Sequence, residues 1–112
     1  MIEQNIIKRG GTYQGKFILS IPGDLIVNVK VTFEQQGILL EKRKGESLTI
    51  EDNKVTVYLS DAETLKLKGD TFCRVQLRVR TTNNKVLPSD IFHIFVRECL
   101  DDEVMLDDEV MS

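Results

Sequence analysis

Apolar and polar side chains alternate with a period of two over most of the chain. In the cleanest stretch, Leu25–Glu34, Leu25, Val27, Val29, Val31 and Phe33 fall on one side, and Asn28, Lys30, Thr32 and Glu34 on the other. Successive side chains of a strand point to opposite faces, so this pattern predicts a half-buried strand with a wet outer side. Thr12–Ile21 repeats it with Tyr13, Phe17, Leu19 and Ile21 in register. Pro22-Gly23-Asp24 then predicts a turn. Ile38–Glu41, Ser47–Ile50, Val55–Leu59, Cys73–Arg80 and Asp90–Arg97 read as further strands, the last with Phe92, Ile94 and Val96 inward. Turns are expected at Glu51–Lys54 and at Asn83-Asn84, because Asn tolerates a positive φ. An edge strand is expected within residues 2–8.

One segment leaves this pattern. Ser60-Asp61-Ala62-Glu63 carries Ser with Glu three places on, the signature of a capping box. A helical turn or two over Ser60–Leu67 is expected, with Gly69 placed to stop it. Short strands, frequent turns and one short connecting helix predict an all-β fold: an immunoglobulin-like two-sheet β-sandwich, with a small barrel as the alternative.

At 112 residues and 41% hydrophobic the chain suits one domain, expected at residues 1–99. No apolar run approaches the roughly 18–20 residues needed to span a bilayer, and the first residues carry no secretion-signal pattern. Charge divides the chain unevenly. Residues 98–112 hold seven acids and no base, against a net charge of only −3 overall, so the body is basic. The acidic segment repeats itself: Leu100-Asp101-Asp102-Glu103-Val104-Met105 is followed by Leu106-Asp107-Asp108-Glu109-Val110-Met111. Disorder or a frayed helix is expected over residues 100–112.

Catalytic chemistry is sparse. His93 is the only histidine and alternation puts it on an outer face. Two cysteines 26 residues apart with one histidine do not supply zinc-ligand spacing. Arg9-Gly10-Gly11-Thr12 lacks the Lys-Ser/Thr and helix of a phosphate loop. The acidic tail lacks the glycine-containing loop of a calcium hand. The chain is therefore expected to be non-enzymatic, without cofactor or metal. An Asn83-Asn84 turn would pair position 73 with about position 94, which favours burial of Cys73 over a bond to Cys99; extra residues at Pro88-Ser89 could shift that register.

The richer constellation is a face. Arg74, Gln76, Arg78 and Arg80 share the outer side of one predicted strand; Ile91, His93, Phe95 and Arg97 share that of its neighbour. Arginine and aromatic side chains are enriched at protein contacts, so this is the candidate interface. An acidic partner suits it, and Asp101, Asp102, Glu103, Asp107, Asp108 and Glu109 supply one within the chain, in the same copy or a neighbouring one. Nucleic acid is disfavoured by the scarcity of aromatics, 6%, and the absence of Trp. A carbohydrate- or cell-surface-binding module is the alternative, with Tyr58 and Phe95 as candidate exposed aromatics and Tyr13 expected to be buried.

Arg9-Gly10-Gly11-Thr12-Tyr13, Asp24-Leu25, the run Val55–Leu67 and the run Val75–Asp90 together resemble a known group. These are small immunoglobulin-like proteins and domains from tail and baseplate gene clusters of phages and prophages of Gram-positive bacteria. The N-terminal domain of the baseplate upper protein is the nearest of them. The resemblance covers roughly residues 5–99. It implies a virion structural or assembly role through contacts with other phage structural proteins or with copies of the same chain. It also implies synthesis in the bacterial cytoplasm followed by incorporation into the virion, and it brings no catalytic residues.

Overall fold

The structure, a computed structural model, describes residues 6–100 and 103–105. Its strands are β1 (Ile6–Lys8), β2 (Tyr13–Ile18), β3 (Ile26–Gln35), β4 (Ile38–Arg43), β5 (Leu48–Glu51), β6 (Lys54–Leu59), β7 (Thr71–Thr81), β8 (Val86–Pro88) and β9 (Phe92–Arg97). A 3-10 turn, Gly23–Leu25, precedes β3, and helix α1 (Asp61–Thr64) joins β6 to β7. The strands form two sheets, β1-β9-β7-β3-β4 with β8 also on β7, and β2-β6-β5. This is an immunoglobulin-like two-sheet sandwich, not a barrel. All pairings are antiparallel except β1 with β9.

The inward positions of both sheets make one core: Phe17, Val55, Val57 and Leu59 from the small sheet, and Val31, Phe33, Val75, Leu77, Ile94 and Val96 from the large one, all essentially inaccessible. Phe17 meets Phe92 across the layers at 5.4 Å between ring centroids, and Tyr13 meets Phe33 edge-on at 6.3 Å. Leu25 and Val27, expected inward, are instead exposed. The β3–β7 register slips between Ile26 and Asn28, a bulge that turns Val27 outward and lets Ile26 pack on the core. Gln35, at the end of the same inward face, is buried.

The hairpin turns are satisfied locally. Gln36 and Gly37 both take positive φ, 49° and 89°, as a two-residue turn matching the right-handed strand twist requires. At the second hairpin only Asn84 takes positive φ, 63°, within a loop closed by Thr81 N–H donating to the Lys85 carbonyl at 2.9 Å. Val86–Pro88, with no sequence signal of its own, is a strand because it lies on the distal half of β7. Ser89 then bridges the break: its N–H donates to the Leu77 carbonyl at 2.8 Å and its Oγ accepts from Leu77 N–H at 3.0 Å. Past it the register advances by one residue, and Cys73 faces Ile94. Gly23 sits against the turn at Asp52, where a Cβ would lie 2.4 Å from backbone atoms, so only glycine fits.

The β6–β7 connection is held from three sides. The capping box forms as expected: Ser60 Oγ accepts from Glu63 N–H at 3.2 Å, and the Glu63 carboxylate accepts from Ser60 N–H at 2.9 Å. Gln35 clamps Lys68, accepting from its N–H at 2.5 Å and donating to its carbonyl at 2.9 Å. Losing that side chain would strand two backbone groups at roughly 1–3 kcal/mol each. Arg9 donates to the Leu67 carbonyl at 2.8 Å, the Leu65 carbonyl at 3.1 Å and Glu98 at 2.9 Å. Buried Thr64 accepts from Gly10 N–H at 3.0 Å and donates to the Gly11 carbonyl at 2.8 Å. Gly69, expected to stop the helix, does not: α1 ends at Thr64, and the positive φ falls on Asp70. Gly69 instead admits Glu98, whose side chain a Cβ would meet at 2.6 Å.

Glu63 has a further partner, Lys42 Nζ at 2.5 Å. Burial raises its pKa, but the hydrogen bonds from Lys42 and Ser60 outweigh this and hold its carboxyl below the ordinary value. A depressed folded pKa gives stability that is present above the unfolded value, about 4.3, and lost as pH falls through the folded one. Unfolding free energy should therefore drop on acidification below about pH 4, and Glu63→Gln should flatten that limb, as read by denaturant titration at stepped pH. An acid limb of equal slope in the variant would refute this assignment.

Candidate interface on the outer face of the large sheet

The outward side chains of β7 are Phe72, Arg74, Gln76, Arg78 and Arg80, alternating with buried Cys73, Val75, Leu77 and Val79. The inner residues are fixed by the core, so the outer ones are held at a fixed pitch on a rigid surface. Register aligns them with neighbours on the same face. Arg74 lies between His93 and Glu34, Gln76 faces Thr32, and Lys30 lies between Arg78 and Arg43. The sequence-predicted residues Arg74, Gln76, Arg78, Arg80, His93 and Phe95 thus share one surface. Ile91 precedes β9 and lines a hollow with Gln76 and Arg78, and Arg97 ends β9 on the same side.

Four further residues extend the face: Lys30, Arg43, Phe72 and Ile6. Lys30 was legible as an outward position of its strand, but its placement beside Arg78 depends on the β3–β7 register. Phe72 pairs with Phe95, their rings meeting edge-on at 5.3 Å, and Ile6 lies on the other side of Phe95. Phe72 is 57% exposed and Ile6 40%, so an apolar row crosses three strands at one end of the face.

At the other end the row is cationic. Arg78, Lys30 and Arg43 stand side by side on strands spaced about 4.8 Å apart. Among the described residues one carboxylate serves this row: Glu41 lies 3.3 Å from Lys30 and 3.9 Å from Arg43. Arg74 is matched by Glu34 at 2.9 Å, and the Arg74 hydrogen bond holds the Glu34 carboxyl below its ordinary value. Arg80 donates to neutral Asn84 at 2.6 Å. Among the described residues Arg78 has no acidic partner. A shallow cavity of about 160 Å³ opens here, lined by Lys30, Arg43, Arg78 and Arg80 with Asn28, Val29 and Val86. Directly opposed like charges destabilise a sheet, so this arrangement opposes folding and favours an anion.

His93 is exposed on the strand face, opposite Arg74. Cys73 is buried, and burial pushes its thiol up to about 11, so it is neutral and a poor nucleophile at physiological pH. No disulfide joins Cys73 and Cys99. Among the tail acids, Glu103 is exposed; Asp101, Asp102, Asp107, Asp108 and Glu109, and the expectation of disorder or a frayed helix, lie outside the described residues. The class of protein these features define is an immunoglobulin-like β-sandwich with a cationic and apolar sheet face. No family model matches the chain, and no characterised protein matches its sequence.

Two outcomes follow from this geometry. Arg78→Gln should leave the fold intact and raise stability at low salt by about 0.2–1 kcal/mol, the gain shrinking as salt screens the row. Thermal melts of both proteins across a salt series measure it, and a loss of stability would contradict the charge-row analysis. In native protein Cys99 should react with a thiol reagent well before Cys73, and Cys73 should react only at the rate of unfolding. Mass spectrometry of timed alkylation resolves the two sites.

Proposed function

We propose that this chain is a non-enzymatic assembly module that binds other proteins through the outer face of its large sheet. The observation that carries this reading is the outward-facing row Arg78-Lys30-Arg43, a charge arrangement that opposes folding and is relieved by an acidic partner. The apolar row Ile6-Phe95-Phe72 adds contact area of the kind that anchors protein interfaces, aromatic side chains beside arginine. The resemblance of residues 5–99 to tail and baseplate immunoglobulin-like proteins supports a narrower form: the contacts are made within a phage or prophage tail, with other structural proteins or copies of the chain. A carbohydrate-binding reading needs a strip of exposed aromatics. Tyr13 is buried, and Tyr58 projects from the small sheet, on the opposite layer from Phe95 and Phe72.

Co-expression with the products of neighbouring genes, followed by native mass spectrometry, tests the proposal. A complex is expected, weakened at least tenfold by Phe72→Ser combined with Arg78→Glu. No complex, or one indifferent to those substitutions, would remove the reading.

A further inference from the structure

The cationic cavity is a specific kind of site. It is shallow and open, with four cations projecting from three adjacent strands and an apolar side chain, Val86, at its margin. A second apolar side chain, Ile91, lines the adjoining hollow, where Glu41 and Glu34 already pair with Lys30 and Arg74 and leave Arg78 as the cation without a carboxylate among the described residues. The matching ligand is an extended segment that alternates short acidic blocks with aliphatic residues. The chain contains that segment in Leu106-Asp107-Asp108-Glu109-Val110-Met111, three consecutive acids flanked by Leu and by Val-Met, with no base. We infer that the outer-face cavity of one copy binds the Leu106–Met111 segment of a neighbouring copy, acids to Lys30, Arg78 and Arg80, aliphatics to Val86 and Ile91. This deepens the assembly reading above and rests on it.

A neighbouring copy, not the same one, follows from where the tail leaves the domain. The Met105 N–H donates to the Asp61 carboxylate at 3.1 Å, at the start of α1. Glu63 of that helix is paired with Lys42, whose side chain is on the inner side of β4. Asp107 to Glu109 begin two residues past this anchor, so their reach is about 7–14 Å even at full extension. Reaching Arg78 in the same copy means rounding β4 and crossing two strand spacings over a sheet layer, about 20 Å in all. Each copy then offers one face and one tail, a head-to-tail contact that generates rings or filaments.

Sedimentation of the full chain and two variants, each verified as folded by circular dichroism, tests this. The face variant is Arg78→Glu with Arg80→Glu; the tail variant is Asp107→Asn, Asp108→Asn and Glu109→Gln. The unaltered chain should associate at low salt and dissociate in molar salt. Each variant alone should be monomeric, because each has lost one half of the contact. An equimolar mixture should form a heterodimer and go no further, since it retains one intact face and one intact tail. A monomeric unaltered chain, a tail variant that associates as the unaltered chain does, or a mixture that stays monomeric would each overturn the inference. If the chain proves monomeric yet still forms a face-dependent complex with neighbouring gene products, the tail docking alone fails. If face substitutions alter neither, the assembly reading fails with it.

Discussion

The antiparallel pairing of β3 with β7 is the constraint on which the rest of the molecule depends. It joins the two longest strands at the centre of the large sheet and carries Val31, Phe33, Val75 and Leu77 into the core. Since a strand's side chains alternate, burying those four residues leaves no freedom for the other set. Arg78 must stand beside Lys30, and Arg74 beside Glu34. The core therefore imposes the charged row, and a one-residue slip that relieved it would expose the entire apolar set.

The second determinant is the connection from β6 to β7. Such a crossing between sheets would leave backbone polar groups under the core without partners, and three side chains supply them. Gln35 extends from β3 as though it were one more rung, Arg9 reaches over from the end of β1, and Thr64 ties the connection to the glycines beyond Arg9. These contacts fix β7 at its beginning, and so fix the position of Phe72 against Phe95. The rigidity of the outer face is inherited from hydrogen bonds on the inner side.

The two ends of that face make different contributions to binding. The apolar row offers area, which is worth something to any partner of suitable shape. The cationic row offers discrimination, because a row of three cations only partly neutralised by Glu41 rewards an acidic segment and penalises a basic one. The absence of an acidic partner for Arg78 among the described residues is meaningful because every other arginine on the neighbouring rungs has been given one or a polar substitute, Glu34, Glu41 or Asn84.

What the sequence determined by itself was local: the two-residue period that places Val29, Val31 and Phe33 inward, the capping box at Ser60, the left-handed position at Asn84, and the division into a basic body and an acidic tail. Each depends on neighbouring residues along the chain, so each is legible there. Leu25 and Val27 turn outward against their alternation because the bulge arises in the pairing with β7, which the local pattern does not contain. Val86–Pro88 carried no pattern because it is a strand only through its pairing with β7, and Gln35, Arg9 and Phe72 acquired their roles from residues far away in the chain. Alternation showed that Arg74–Arg80 faces outward. The tertiary register alone placed Lys30 and Arg43 beside it and made a surface of scattered cations into a site, because cross-strand neighbours are chosen by pairing geometry and not by sequence distance.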